Sequence, residues 1–514
     1  MNIYQYARLF VFVVFSSILL GSCEMPFGKK SKPNIIYFLA DDLGYGEVGV
    51  YGQKKIKTPN MDALAANGML FTQHYTGAPV CAPARCVLMT GKHAGHAVIR
   101  GNDGMNERGD IWNYELASKD PGLEGQRPMP EHTITLGDQL QKAGYKTGIF
   151  GKWGLGAPGT EGAPNEQGFD VFYGYNCQRQ AHNLYPPHLW SNTEKDTLDN
   201  ELVKPHVQLD SLLDPYDPVS YTLFNQKDYA PERIHEKAEQ FISSNSDQPF
   251  FLYYASPLPH LPLQVPQEFV DMYRDAFGDE EPYIGNQSYF PNRYPRASYA
   301  AMITYLDYQL GALVGLLKEQ GIYEETIIIV SSDNGPTYLG GVDFDFFESS
   351  KPFANGYGRT KGFVHEGGIR VPMIVSWPGE IEAGSKSDHV SAFYDIMPTV
   401  CELTGAEVLE GLDGISFKNE LFGKEQVQHG FLYWEFPSYK GQQAVRMGNW
   451  KGVRKNIQEG NMEVELYDLN KDTLESNNIA DQYPEIVLQI EQIMKEQHEP
   501  SANDRFKMST LGDE

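Results

Sequence analysis

Four short runs of apolar and β-branched residues each stop at a residue with chemistry to offer, and this pattern constrains the fold more than any other feature of the chain. Asn34-Ile35-Ile36-Tyr37-Phe38-Leu39-Ala40 stops at Asp41-Asp42, and Thr326-Ile327-Ile328-Ile329-Val330 stops at Ser331-Ser332-Asp333-Asn334-Gly335. Tyr145 to Phe150 leads into Gly151-Lys152-Trp153, and Pro249 to Ala255 runs through a proline-rich turn to His260. Runs without polar alternation suit strands covered on both faces, as in a parallel sheet flanked by helices. In such sheets ligands bind beyond the carboxyl ends of the strands.

Helical segments alternate with these runs. Thr58-Pro59 offers an N-cap followed by proline at the first helical position, with Met61, Leu64, Ala65 and Met69 on one face. Tyr299 to Gln320 is a longer apolar-periodic helix stopped by Gly321, and it leads directly into the strand that carries Asp333. Strand, helix, strand is the rhythm of an α/β fold. After about Gly405 the pattern changes. Phe431 to Phe436, Gln443 to Met447, Trp450 to Val453 and Glu463 to Leu466 read as short antiparallel strands, followed by a helix from Pro484 to Gln497. The expected organisation is an α/β domain over 34–405 and a smaller α+β domain over 406–514.

The first segment reads as an address. Arg8, the apolar run Leu9 to Leu20 and Leu20-Gly21-Ser22-Cys23 have the three regions of a secretory signal peptide, here 1–22. A cysteine directly after the small residues resembles a bacterial lipobox, which implies cleavage before Cys23, lipid on its sulfur, and a secreted protein anchored in the periplasm or at the cell surface. The alternative is an ordinary signal peptide with an incidental cysteine. Residues 23–33 form a tether, and no later stretch is expected to span a membrane.

A formal charge of −26 argues against nucleic acid as a partner, since no run of Lys or Arg supplies a basic face for phosphates. It leaves small anions open, because a few buried cations set the field in a cleft. Beyond Cys23 the chain has Cys81, Cys86, Cys177 and Cys401, too few for a disulfide framework and without a zinc pair. Cys81 and Cys86 could pair in an oxidising compartment, while Cys177 and Cys401 read as buried thiols.

The most specific segment is Cys81-Ala82-Pro83-Ala84-Arg85-Cys86-Val87-Leu88-Met89-Thr90-Gly91. It resembles the signature of the type I sulfatase family, a member of the alkaline phosphatase-like superfamily, whose core is Cys-x-Pro-x-Arg followed by Thr-Gly. The resemblance continues in order through Asn34 to Gly44, Thr58 to Asp62, Gly151-Lys152-Trp153, Pro259-His260-Leu261-Pro262, Ser332-Asp333-Asn334-Gly335, Lys361-Gly362 and Glu366 to Pro372. It implies an alkaline phosphatase-like α/β fold, a large, mostly parallel mixed sheet flanked by helices, with a smaller C-terminal α+β domain of antiparallel sheet plus helix.

The resemblance also implies a mechanism. A formylglycine-generating enzyme would oxidise Cys81 to formylglycine, whose hydrate attacks sulfur with one hydroxyl and releases sulfate through the other. Asp41, Asp42, Asp333 and Asn334, with residue 81, would hold calcium, or less favourably magnesium, since these are hard oxygen ligands. Arg85, Lys152 and Lys361 are the cations placed around the site, and His260 would lie near the leaving oxygen with Lys361 helping to protonate it. If residues 84–90 open a helix, its N-terminus adds a dipole favourable to an anion. One departure stands out: Gly154 replaces the histidine of Gly-Lys-Trp-His, and His182 in Gln178-Arg179-Gln180-Ala181-His182-Asn183 is the candidate to fill that role.

For the substrate, Arg100, Asn102, His182 and Trp434 resemble pocket walls of sulfatases that act on carbohydrates, such as a galactose-type or N-acetylhexosamine residue of a sulfated polysaccharide. Packing in the core and between domains is the other reading of the aromatics. His93, His96 and His365 are expected to serve local structure or the pocket rim. Two rival functions remain, a phosphonate or phosphodiester hydrolase of the same superfamily and a non-catalytic glycan-binding surface lipoprotein.

Overall fold

In the computed structural model of the chain, residues 32–514 are described, so the expected signal peptide and Cys23 lie outside the described residues. Residues 33–514 form one compact unit. Its centre is a ten-stranded mixed sheet. Asn34–Ala40 runs parallel to Phe250–Ala255 on one side and to Thr326–Ser332 on the other. Lys146–Lys152 and Val171–Tyr175 extend the parallel part beyond Phe250–Ala255. Met373–Ser376 and the hairpin His188–Ser191 with Glu194–Thr197 add antiparallel neighbours toward the two edges.

The absence of alternation in the first run has a physical cause: all seven residues of Asn34–Ala40 are buried. Ile35, Tyr37 and Leu39 face one apolar core while Ile36, Phe38 and Ala40 face another on the opposite side of the sheet. Register then fixes the site. Leu39 lies opposite both Ala255 and Ser331, and Gly151 lies opposite Ala255. Asp41, Lys152 and Asp333 therefore leave the sheet at nearly the same level, and the turn to His260 continues from the strand between them.

The helix Pro295–Glu319 is 25 residues long and, by length and composition, apolar enough to cross a membrane. The sequence alone marks no such stretch. Its apolarity serves packing instead: Ala297, Met302, Leu306, Leu310, Leu313 and Leu317 are buried against one face of the sheet. It begins four residues before the expected Tyr299, because Pro295 occupies the first turn, where a missing N–H costs nothing.

The second sheet runs Leu432–Phe436, Gln442–Met447, Trp450–Lys455 and Glu465–Asp468, antiparallel and in sequence order. The helix Pro484–Glu496 packs Ile490 and Met494 against Tyr433, Val445 and Leu466 on one of its faces. Trp434, Phe436, Ala444 and Val453 on the other face join the large core of the main sheet.

Candidate active site

The site starts with a short helix. Cys81–Thr90 comes after Val80 in extended conformation, so the helix opens at Cys81 itself, three residues earlier than expected. Pro83 sits within its first turn, where backbone N–H groups have no intrahelical partner. Four-residue spacing puts Cys81 and Arg85 on one face. Asn102 Oδ1 accepts the Ala82 N–H at 3.1 Å, capping the turn that holds Cys81. Cys81 and Cys86 are both buried and free.

The strand ends close around this helix. Cys81 Sγ lies 3.5 Å from Asp41 Oδ1 and 3.5 Å from Lys152 Nζ, which itself meets Asp41 Oδ2 at 2.5 Å. Arg85 donates to Asp333 Oδ2 through Nη2 at 2.9 Å and Nε at 3.2 Å, and to the Lys152 carbonyl through Nη1 at 2.5 Å. Asp41, Arg85, Lys152 and Asp333 are all fully enclosed. On the other side, Asp42 accepts from Asn334 Nδ2 at 2.7 Å and from Lys361 Nζ at 2.7 Å, with His260 Nε2 at 3.8 Å. Asp42 holds φ 70°, a left-handed conformation more readily adopted by Asp than by most residues. The structure thus brings Cys81, Arg85, Lys152, His260, Lys361, Asp41, Asp42, Asp333 and Asn334 together.

Ligand atoms of Asp41, Asp42, Cys81 and His260 all lie within 4.8 Å of one another. Asn334 Oδ1 beside them is buried with no hydrogen-bond partner. An orphaned amide oxygen among three buried carboxylates is a donor set for a hard divalent cation. A second grouping, His93, His96 and Asp413, is accounted for by its own bonds, with His96 Nδ1 at 3.0 Å from Asp413 and His93 Nε2 at 3.0 Å from Gln497.

Electrostatics divide the cluster. Burial would raise Asp41, but Lys152, His260, Arg85 and Lys361 outweigh it and hold its carboxyl well below the usual range. Asp333 goes the other way, because burial and the Asp41 charge push it up to about 7 against Arg85 and Lys152. Burial and Asp41 also push the Cys81 thiol up to about 12, so residue 81 is not a thiolate at neutral pH. Burial and the Lys361 charge bring His260 down to about 4. Its Nδ1 lies 2.6 Å from the Leu261 carbonyl and must carry the hydrogen, which leaves Nε2 bare toward Asp42.

His182 stacks on His260 with ring centroids 5.3 Å apart, and burial together with the His260 and His206 rings keeps it neutral. Its tautomer is set by residues that sequence reasoning missed. The Tyr289 N–H donates to His206 Nδ1 at 3.1 Å, so His206 carries its hydrogen on Nε2 and donates it to His182 Nδ1 at 3.0 Å. His182 is left with an Nε2–H, a donor and not a proton acceptor. His206 and Tyr289 come from aperiodic loops, and their one signal, φ of 63° and 64° at non-glycine residues, is visible only in the backbone.

These residues open onto a cavity of about 290 Å³, lined by Cys81, Asn102, Gln178, His182, His260 and Lys361 among others. A histidine at Gly154 would be strained, since φ there is 81°, and would have to displace the Gln178 side chain, whose Nε2 lies 2.4 Å from where a Cβ would sit. That amide nitrogen is itself buried without a partner. Two expected wall residues are elsewhere. Arg100 spends its donors on Glu435 at 2.9 Å and on the carbonyls of Gly95, Ala97 and Glu499. Trp434 is fully buried, and its indole N–H donates to the Thr76 carbonyl at 2.7 Å. Both tie the second sheet to the main body, so neither reaches the cavity. His365 is likewise buried away from it.

Residues 33–406 match the profile described as Sulfatase, and residues 357–500 match that of the N-sulphoglucosamine sulphohydrolase C-terminal region. The chain belongs to the sulfatase family. It is 32% identical to human arylsulfatase A over 433 residues, 82% of this chain and 74% of that protein. It is 26% identical to an N-acetylgalactosamine-6-O-sulfatase of Bacteroides thetaiotaomicron, over 93% of this chain and 96% of that one. Among solved structures, Ps i-CgsB in complex with k-i-k-neocarrahexaose superposes with a TM-score of 0.71 at 26% identity, covering 91% of this chain and 94% of the other. This sulfatase shares with them the alkaline phosphatase-like fold and is a sulfuric ester hydrolase.

Proposed function

We propose that this sulfatase removes sulfate from a carbohydrate, a galactose-type or N-acetylhexosamine residue, using formylglycine made from Cys81 and a calcium ion held by Asp41, Asp42, Asp333 and Asn334. The observation that carries the reading is the setting of Cys81. Its sulfur sits at the floor of the cavity, 3.5 Å from an aspartate and 3.5 Å from a lysine, yet burial holds it as an unreactive thiol. Such a site suits a different group on that carbon.

Formylglycine, as its hydrate, supplies one hydroxyl for attack and a second on the same carbon for release of sulfate. The cation, when bound, draws charge from the sulfate oxygens. The chain's own residues do the rest. Arg85 fixes Asp333, and Lys152 stands over residue 81, where it favours negative charge. Lys361, held by Asp42 and 18% exposed, is the proton source on the side where the alcohol leaves, with the bare Nε2 of His260 beside it. His182 offers its Nε2–H, and Gln178 its unpartnered amide, to substrate oxygens. His182 is therefore a binding group, and the neutral His260 is the better proton acceptor.

Maturation calls for a formylglycine-generating enzyme, and the lipobox-like segment supports a lipid anchor at Cys23 in the periplasm or at the cell surface. Mass spectrometry of the peptide spanning Cys81, run beside sulfate release from an aryl sulfate and from sulfated monosaccharides, tests the reading. A carbonyl in place of the thiol and activity abolished by EDTA but restored by Ca²⁺ are expected. An unmodified thiol in an active preparation, or faster turnover of an aryl phosphonate than of the sulfate, overturns it.

A further inference from the structure

A second cavity adjoins the first. It measures about 310 Å³, at the lower end of small-molecule sites, and the two share Trp112, Arg179 and His182 as their dividing ridge. Trp112 is 69% exposed, unusual for so large an apolar side chain. The Arg179 guanidinium lies over one face of its ring at 4.9 Å, which leaves the other face to solvent. Arg179 Nη2 is buried and has no hydrogen-bond partner, although the group cannot lose its charge. Beyond the ridge lie Lys204, 3.9 Å from Glu115, and Asp110 as the one acidic lining residue.

An open indole face, a guanidinium nitrogen without a partner and a cavity that adjoins the catalytic one form a recognisable set. Sugar rings present C–H faces that stack on aromatics, and anionic substituents seek a guanidinium that still has donors to give. Resting on the sulfatase reading above, we propose that this cavity is a second sugar subsite. It takes the neighbouring residue of an anionic oligosaccharide, whose ring stacks on Trp112 and whose carboxylate or sulfate meets Arg179 and Lys204. The substrate is then a chain of sugars and not an isolated sulfated monosaccharide.

The test compares kcat/KM for 4-nitrophenyl sulfate, for sulfated galactose-type and N-acetylhexosamine monosaccharides, and for tetrasaccharides of chondroitin sulfate and carrageenan containing the same units. A tetrasaccharide is expected to exceed its monosaccharide, and Trp112→Ala should lower that ratio about tenfold, the scale of one lost stacking contact. Lys204→Glu, which lines only the outer cavity, should lower the tetrasaccharide value and leave the monosaccharide and aryl sulfate values unchanged. Aryl sulfate turnover with no tetrasaccharide preferred, or with Trp112→Ala lowering both values equally, overturns the subsite alone. Failure to hydrolyse any sulfate ester overturns the sulfatase reading and the subsite with it.

Discussion

Two buried charge clusters in this molecule look alike in composition and do opposite things. At the strand ends, Asp41 is held low while Asp333 beside it is pushed up to about 7, with Arg85 and Lys152 between them. Where the second sheet meets the main one, Glu366 is brought down to about 2, burial being outweighed by Lys451, Arg370 and Arg446. Its neighbour Glu475 is raised to about 7 by burial and by Glu366 itself. Lys451 Nζ lies 2.8 Å from Glu366 and 3.4 Å from Glu475. The difference is what each cluster faces. Each keeps one buried oxygen without a hydrogen bond, Asn334 Oδ1 in the first and Glu475 Oε1 in the second, but the first borders a cavity, whereas the second is closed by Arg370, Arg446, the Tyr75 hydroxyl and Lys451, which faces Glu475 Oε1 at 3.4 Å. Charge burial alone marks neither a site nor a seam; the unmet donor or acceptor beside a cavity does.

The contrast breaks most sharply at the nucleophile. Cys81→Ala should lower kcat by about 10⁶-fold, the scale of deleting a nucleophile that works as part of a set. The melting temperature should change little, since every ion pair of the cluster remains. Activity within tenfold of the wild type would sink the assignment of residue 81. In the seam the expected pattern is the reverse. Lys451→Met keeps the stem but leaves two enclosed carboxylates facing each other, and should cost about 3–5 kcal/mol in a urea titration. The folded fraction should keep its kcat, because Lys451 does not line the cavity. A loss of activity without a loss of stability would show that the two clusters are coupled.

Arg100→Ala sharpens the comparison at a residue that sequence reasoning put in the substrate wall. With its donors given to Glu435 and three carbonyls, its removal should cost about 2 kcal/mol of stability and leave KM for sulfated sugars unchanged. A raised KM with unaltered stability would return Arg100 to the substrate wall. The error has a physical source. The strand-end residues were legible because unbroken β-branched runs fix a parallel sheet, register fixes the level at which each strand gives way to its polar turn, and the Cys81 to Arg85 spacing fixes one helix face. Arg100 and Trp434 carry the same polar and aromatic chemistry, but which side of the second sheet faces the main core is a tertiary fact that local pattern does not encode. His206 and Tyr289 were invisible for a related reason: their loops have no period, and only their contacts give them a role. Trp112 was equally unmarked in sequence, since an exposed indole and a core indole read alike.

The smallest effect separates the histidines of the two regions. In the cleft, burial and nearby cations lower His260 and His182, so both stay neutral. In the seam, His498 opposes the same burial with two carboxylates, Glu435 at 2.7 Å from Nδ1 and Asp513 at 2.8 Å from Nε2, and its pKa is raised. Carboxylate oxygens only accept, so both ring nitrogens must carry hydrogen and the folded state prefers the imidazolium. A raised folded pKa contributes stability that is full below the unfolded histidine value of about 6.5 and is lost as pH climbs through the folded value. Docking of the last turn around Asp513 should therefore loosen on going from pH 6 to pH 9, read as faster proteolysis of the C-terminal residues and a lower melting temperature. His498→Gln should be weaker at pH 6 and should flatten that slope, because its amide carries its donors on one nitrogen, is uncharged and does not titrate. An unchanged slope in the variant would place the pH dependence elsewhere in the fold, and would remove the distinction between charged histidines in the seam and neutral ones in the cleft.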